Sequence, residues 1–233
     1  MQHIGIVAGS SEGAALCYRT ICLEAPLVLG EYRHPPVTLD GSVDLGTYMS
    51  CIYRDEWSGV GALMLDSVRR LQAAGAQFVI CPDNTFHQGL PYVRDASPLP
   101  WLHIAEVVAQ QAHSLGLRHL GVLGTRYLME GPVYREVLES SDIRSSVPGA
   151  EERGTINRII FEELVNGRVL ASSRAQLLEV IERLRGLGCD AIVLGCTELP
   201  LIIEPQDSPL PTLDSTRLLA RAALRRAIGS ATS

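Results

Sequence analysis

His3-Ile4-Gly5-Ile6-Val7-Ala8 is a short apolar run, and it recurs as His119-Leu120-Gly121-Val122-Leu123-Gly124, 116 positions later. Tyr18-Arg19 returns as Tyr134-Arg135 at the same spacing. Farther along, Arg70-Leu71 through Gly75, followed by a hydrophobic run ending Asp83-Asn84-Thr85, matches Arg183-Leu184 through Gly188 and a run ending Cys196-Thr197-Glu198, now 113 apart. Ser97-Pro98-Leu99-Pro100 comes back as Ser208-Pro209-Leu210-Pro211, 111 apart. Four matches in one order, with a slowly shrinking spacing, describe two similar half-chains. The period is far too long for a solenoid or a propeller blade.

Within each half, apolar runs of strand length alternate with amphipathic stretches of helix length. In the first half the pattern predicts a strand over 4–8, a polar turn over 9–13 and a helix over 14–23. A strand over 37–39 follows, then a helix over 55–74 closed by Gly75, a buried strand over 77–81 and a helix over 102–115. In the second half it predicts strands over 119–123 and 191–194, with helices over 132–139, 154–165, 174–187 and 214–227. The fold class is α/β: two similar lobes with parallel sheets, related by a pseudo-twofold axis and facing each other across a crevice. The lobes are expected at 1–101 plus 214–233 and at 102–213, with a frayed tail over 229–233. Ligands of open parallel sheets bind beyond the carboxyl ends of the strands. The loops at 9–13, 83–87, 125–129 and 196–200 are therefore expected to converge on one site.

Composition narrows the partners. The 233 residues are 46% hydrophobic and 20% charged, with a net charge of -6. That balance suits a large apolar core and argues against nucleic acid or an anionic membrane surface. Apolar runs are strand-length, far short of a bilayer span, and no signal-peptide pattern opens the chain. A cytoplasmic protein is expected. Its six cysteines show no Cys-x-x-Cys pair and no zinc spacing, so they read as thiols.

Two strand ends carry the chemistry. Cys196 follows a buried run and precedes Thr197-Glu198. Backbone N–H groups and a helix dipole at a strand-to-helix junction favour a thiolate there, whereas Glu198 either opposes it or orients a proton carrier. Asp83 holds the matching position in the first half; its simpler reading is a cap on the next helix. An acid and a thiol at corresponding positions are what proton exchange on two faces of one carbon needs, with heavy atoms about 7–8 Å apart. Asn84, Thr85 and Thr197 are candidate carboxylate anchors, joined by Gly9, Ser10, Thr125 and Glu198 from the neighbouring loops. The turn at 9–13 matches neither of the nucleotide-binding glycine patterns. His87 is set aside as structural, and His3, His34, His103, His113 and His119 carry no site signal.

Pro82-Asp83-Asn84-Thr85-Phe86-His87 and Leu194-Gly195-Cys196-Thr197-Glu198-Leu199-Pro200 together resemble the paired motifs of the aspartate/glutamate racemase family. The opening strand with its glycine turn, Leu123-Gly124-Thr125-Arg126-Tyr127 and Ile159-Ile160-Phe161-Glu162-Glu163-Leu164 resemble the branch in which the first catalytic cysteine is not retained. The resemblance implies a two-lobed α/β fold and inversion of an amino-acid α-carbon without pyridoxal phosphate or metal. Cys196 and Asp83 would be the two acid/base groups, in a homodimer acting on a small amino-acid or carboxylate substrate. Asp83 stands where a cysteine is usual, and Cys81 lies on the same strand face but roughly 6–7 Å deeper. The basic residues that many aspartate-specific members use are not matched: no arginine lies within 44–53, and Val165 falls where a lysine is expected. Asp83 would repel an anionic substrate side chain unless Arg54, Arg126 or Arg153 compensates. Two rivals stay open: a single-cysteine decarboxylase or cis-dicarboxylate isomerase of the same superfamily, and a small-molecule binding protein on a degraded scaffold.

Overall fold

The computed structural model describes residues 1–229; residues 230–233, most of the expected frayed tail, lie outside the described part. The chain divides into two compact units, residues 1–104 with the chain from Thr216 onward, and residues 105–215.

The first unit is built on three parallel strands in the order β2-β1-β3: β1 (Ile4–Val7), β2 (Val37–Asp40) and β3 (Phe78–Ile80). Val79 also bridges to Trp101 in parallel, which adds a fourth, rudimentary position beyond β3. Helices α1 (Ser11–Glu24), α2 (Pro26–Leu29), α3 (Leu45–Tyr53) and α4 (Trp57–Ala73) connect the strands. The second unit has four parallel strands in the order β5-β4-β6-β7: β4 (His119–Leu123), β5 (Arg144–Ser146), β6 (Ala191–Leu194) and β7 (Thr212–Asp214). Its helices are α6 (Arg126–Glu130), α7 (Val133–Ser140), α8 (Ala150–Arg158) and α9 (Ala171–Gly186). Helices α5 (Ile104–Ser114) and α10 (Ser215–Ile228) begin where the chain changes unit.

The repeat seen in the sequence is a repeat of contacts. His3 immediately precedes β1 and His119 opens β4, each an inner strand of its unit. The His3 carbonyl accepts from Gln77 N at 2.9 Å, and the His119 carbonyl from Asp190 N at 2.8 Å. The return bonds run from His3 N to the Gln77 side chain and from His119 N to the Asp190 carboxylate. Each imidazole Nε2 lies 2.8 Å from a hydroxyl on the neighbouring strand, Thr38 in one unit and Ser146 in the other. These histidines register strands. The Ser-Pro-Leu-Pro pair works the same way. Ser97 Oγ donates to the Leu99 carbonyl and Ser208 Oγ to the Leu210 carbonyl, both at 2.7 Å. The Pro100 and Pro211 carbonyls then accept from Val79 N and Ile192 N.

Most strands and long helices fall where the sequence pattern puts them, with three differences. Helix α3 arises from an Asp44 N-cap that accepts from Thr47 N at 2.9 Å, a signal outweighed in the pattern by the surrounding glycines. The helix expected over 154–165 is instead α8, a π turn over Ile159–Glu163 and a 3-10 turn over Leu164–Asn166. The break is stabilised locally: Arg158 pairs with the buried Glu163 carboxylate at 2.6 Å, and the Asn166 amide donates to the Phe161 and Glu162 carbonyls. Strands β5 and β7, three residues each, are too short to show a periodicity.

Gly5 and Gly121 sit mid-strand where a helix closes on the sheet. A Cβ on Gly5 would lie 2.9 Å from Val79 Cγ1 and 3.1 Å from Ala76 Cβ, atoms close to the backbone. On Gly121 it would lie 2.6 Å from Ile192 Cδ1 and 3.0 Å from Leu184 Cδ1, the swinging ends of their side chains. Gly5→Ala is therefore expected to cost about 1–3 kcal/mol by overpacking, and Gly121→Ala less despite its shorter distance. Urea unfolding of the two variants against wild type gives the ranking.

Candidate active site

In the first unit, β1 ends at Val7 and the chain turns through Ala8 and Gly9 into α1. Ser10 caps that helix, its hydroxyl accepting from Gly13 N at 3.2 Å. Asp83, just past β3, does not side-chain cap the 3-10 helix Asn84–Tyr92 that follows it. Its carboxylate instead reaches across to the first loop. Oδ2 accepts from Gly9 N at 3.0 Å, and both oxygens lie 3.2 Å from Ser10 N. Bonds of this kind are strongest when the acceptor carries its charge.

Gly9 has no room for a side chain: a Cβ there would stand 1.9 Å from Phe86 Cε2. The Phe86 ring stacks in turn on Tyr48 of α3, centroids 4.1 Å apart. The Tyr48 hydroxyl is buried without a hydrogen-bond partner. Burial first, and then the negative charges around it that include Asp83, push its ionisation well above the ordinary range. Asn84 is buried and Thr85 half-buried beside Asp83. Cys81 is fully buried, and burial pushes its thiol well up, so it is no substitute base.

In the second unit, β6 ends at Leu194, and Gly195 N donates to the Leu123 carbonyl at 2.7 Å. Cys196 then emerges half-buried. A sustained helix dipole was expected to act on it, but the segment after it is only a 3-10 turn over Leu199–Leu201, too short to sum one. The thiol instead finds a side-chain partner. Cys196 Sγ donates to Glu198 Oε2 at 2.9 Å, and Thr197 Oγ1 donates to the same oxygen at 2.7 Å. Glu198 is only 7% exposed and Thr197 4%. Thr125 caps α6, its hydroxyl accepting from Leu128 N at 3.2 Å, and the Asn157 side chain accepts from Arg126 N at 2.9 Å.

The candidate residues thus gather in two sets, each at the carboxyl end of its own sheet. Gly9, Ser10, Asp83, Asn84 and Thr85 form one; Thr125, Cys196, Thr197 and Glu198 form the other. Tyr48 and Phe86 are additions that the sequence pattern passed over. The Asp44-x-x-Thr47 cap was the signal that could have placed Tyr48 on a helix. Among the described residues, no group of three or more His, Cys, Asp or Glu side chains is placed to hold a metal ion, and none of the six cysteines is disulfide-bonded. No described helix is long and apolar enough to cross a membrane.

The Asp/Glu/Hydantoin racemase family model matches residues 27–223, most of the chain and all the candidate residues except Gly9 and Ser10. The chain belongs to that family. It is 33% identical to a protein from Yersinia pestis described as a candidate Asp/Glu racemase, covering 98% of this chain and 100% of that one with a TM-score of 0.90. An aspartate racemase homologue from Pyrococcus horikoshii is 26% identical over 98% of this chain and 100% of its own, with a TM-score of 0.84. The broad-specificity amino-acid racemase RacX of Bacillus subtilis is 24% identical over 68% of each chain. The likeness covers the fold of both units and fits a racemase superfamily enzyme.

His87 lies beside the first set, buried, with Nε2 3.0 Å from the Cys81 carbonyl and its ring edge-on to His103, centroids 4.5 Å apart. Burial, then the neighbouring His103, pushes His87 well down; burial, then Arg94, pushes His103 down to about 4. The folded state keeps both rings neutral while the unfolded chain protonates below about 6.5. Stability present above pH 6.5 is therefore lost as pH falls toward 4, by about 3 kcal/mol from His103 alone. Urea midpoints across that range should show the slope, and His103→Phe should flatten it.

Proposed function

We propose that the protein is a cofactor-independent amino-acid racemase, with Cys196 and Asp83 as the acid/base groups on the two faces of the substrate α-carbon. The observation that carries the reading is the Cys196 thiol held 2.9 Å from the buried Glu198 carboxylate. Proton passage from sulfur to Glu198 leaves a thiolate, which removes the α-proton. A protonated Asp83 delivers one to the opposite face, and the reverse direction exchanges the roles. The thiolate is the stronger candidate base because a hydroxyl at that position would stay protonated at neutral pH. Asn84, Thr85 and Thr197, with the Gly9, Ser10 and Thr125 loops, are the proposed holders of the substrate carboxylate and ammonium groups.

Aspartate, glutamate and related amino acids are the first substrates to test. The relation to a broad-specificity racemase supports a screen beyond the acidic pair, and so does the charge of Asp83, which opposes a second substrate carboxylate. The reading carries with it a cytoplasmic homodimer that uses neither pyridoxal phosphate nor a metal.

A second reading rests on Asp83. Its carboxylate is engaged by Gly9 and Ser10 N–H groups, an arrangement that also suits a single-cysteine decarboxylase or isomerase in which Cys196 works alone. Incubation of pure enantiomers in deuterium oxide separates the two. A racemase washes deuterium into the α-carbon of recovered substrate, whereas a decarboxylase places it only in product. Cys196→Ser is expected to lower α-exchange by about 10²–10⁴-fold, and Glu198→Gln by a smaller factor, as for a lost proton-transfer group. Asp83→Asn should leave exchange on one face and abolish racemisation. If no amino acid gains α-deuterium with wild-type protein, the racemase reading falls; if Asp83→Asn still racemises both enantiomers, Asp83 leaves the mechanism.

A further inference from the structure

We infer that Asp83 is the resident occupant of a carboxylate seat, and that a ligand carboxylate takes this seat only by displacing the Asp83 side chain. The inference deepens the reading of position 83 as part of the active site and rests on it.

Four observations meet at the seat. The Gly9 and Ser10 N–H groups converge on one carboxylate, at 3.0 and 3.2 Å. That carboxylate comes from a residue 73 and 74 positions away, rather than from the turn itself, so the donors are arranged for a group arriving from outside the loop. The turn is braced on both sides: Ser10 Oγ fixes the start of α1 through Gly13 N, and the Phe86 ring fills the space where a Gly9 side chain would be. Finally, the Tyr48 hydroxyl is sealed from solvent with no hydrogen-bond partner, and the charge of Asp83 acts on it. A buried unpartnered hydroxyl costs free energy in this state of the site, and a rearranged state that pairs it recovers that cost.

Two carboxylates cannot share the seat. A second anion beside Asp83 would meet a like charge at a few ångströms in a partly buried place, where repulsion is poorly screened. Exchange avoids that clash. It leaves the incoming carboxylate on the two N–H groups and puts the Asp83 carboxylate off them, where it is available to take up a proton. Substrate binding and the presentation of the Asp83 base thus become one event, and the residue at position 83 sets the affinity of the site for carboxylates.

The test uses the full chain and propionate, which has a carboxylate but no amino group to turn over, with propanamide as the uncharged control. The amide resonances of Gly9 and Ser10 report the seat directly in ¹⁵N-labelled protein. Asp83→Thr empties the seat of its carboxylate. It should bind propionate at least about tenfold more tightly than wild type, with the Gly9 and Ser10 amides moving most and propanamide moving neither. Asp83→Asn keeps the size of the side chain and an acceptor oxygen while removing the charge, and should fall between the two; it carries the test if Asp83→Thr folds poorly. The inference is overturned if neither variant tightens propionate binding, or if propionate binds while the two amides stay still. Because propionate does not react, these outcomes are independent of α-deuteration. A failed exchange inference leaves the racemase reading standing, and a failed racemase reading leaves the exchange measurable.

Discussion

Each unit hangs on an inner strand, β1 or β4, that is hydrogen-bonded on both sides and sealed from water. In β1 the residues Ile4, Ile6 and Val7 have no exposed surface, and in β4 Leu120 and Leu123 have none. A strand in that position has to satisfy every backbone group within the sheet and accept helices against both faces. Gly5 and Gly121 meet the second demand by yielding side-chain volume to the helix that closes on the strand. The first is met at the opening of each strand, where a histidine backbone exchanges hydrogen bonds with Gln77 or Asp190 and the imidazole reaches the next strand over. With the inner strand fixed in register, its neighbours are fixed, and the loops at their carboxyl ends follow.

The two candidate carboxylates are treated in opposite ways by those loops. Asp83 sits among backbone donors, which gives it a settled position and ties it to the geometry of the Gly9 turn. Glu198 sits among side-chain donors, a thiol that can give up its proton and a hydroxyl that can rotate. The first arrangement suits a group that has to be released before it acts. The second suits a group that receives a proton from a neighbour already in contact. Backbone N–H groups thus act on the Asp83 carboxylate and side-chain donors on that of Glu198.

Much of this was legible because the chain says it twice. The paired runs at 3–8 and 119–124, and the paired Ser-Pro-Leu-Pro segments, mark strands and strand anchors whose contacts match in both units. The α/β class, the long helices and the candidate residues at 83 and 196 follow from apolar periodicity and from polar residues placed after buried runs. What escaped was short or irregular. Strands β5 and β7 carry three residues each, below any period, and the π turn at Ile159–Glu163 is set by where the Glu163 carboxylate finds Arg158 rather than by local propensity.

The sequence by itself determined the fold class, the duplication and the two strand ends that carry the candidate residues, because burial patterns and chain order are one-dimensional information. The family resemblance it carries agrees with the matched family model over residues 27–223. Only the tertiary structure decided what the side chains at those ends touch. Asp83 could have capped its own helix, and Cys196 could have leaned on a helix dipole. Instead one reaches 73 and 74 residues back along the chain to Ser10 and Gly9, and the other points at Glu198. A hydrogen bond's partner depends on directions and distances within a few tenths of an ångström, and those are fixed by packing between segments far apart in the chain.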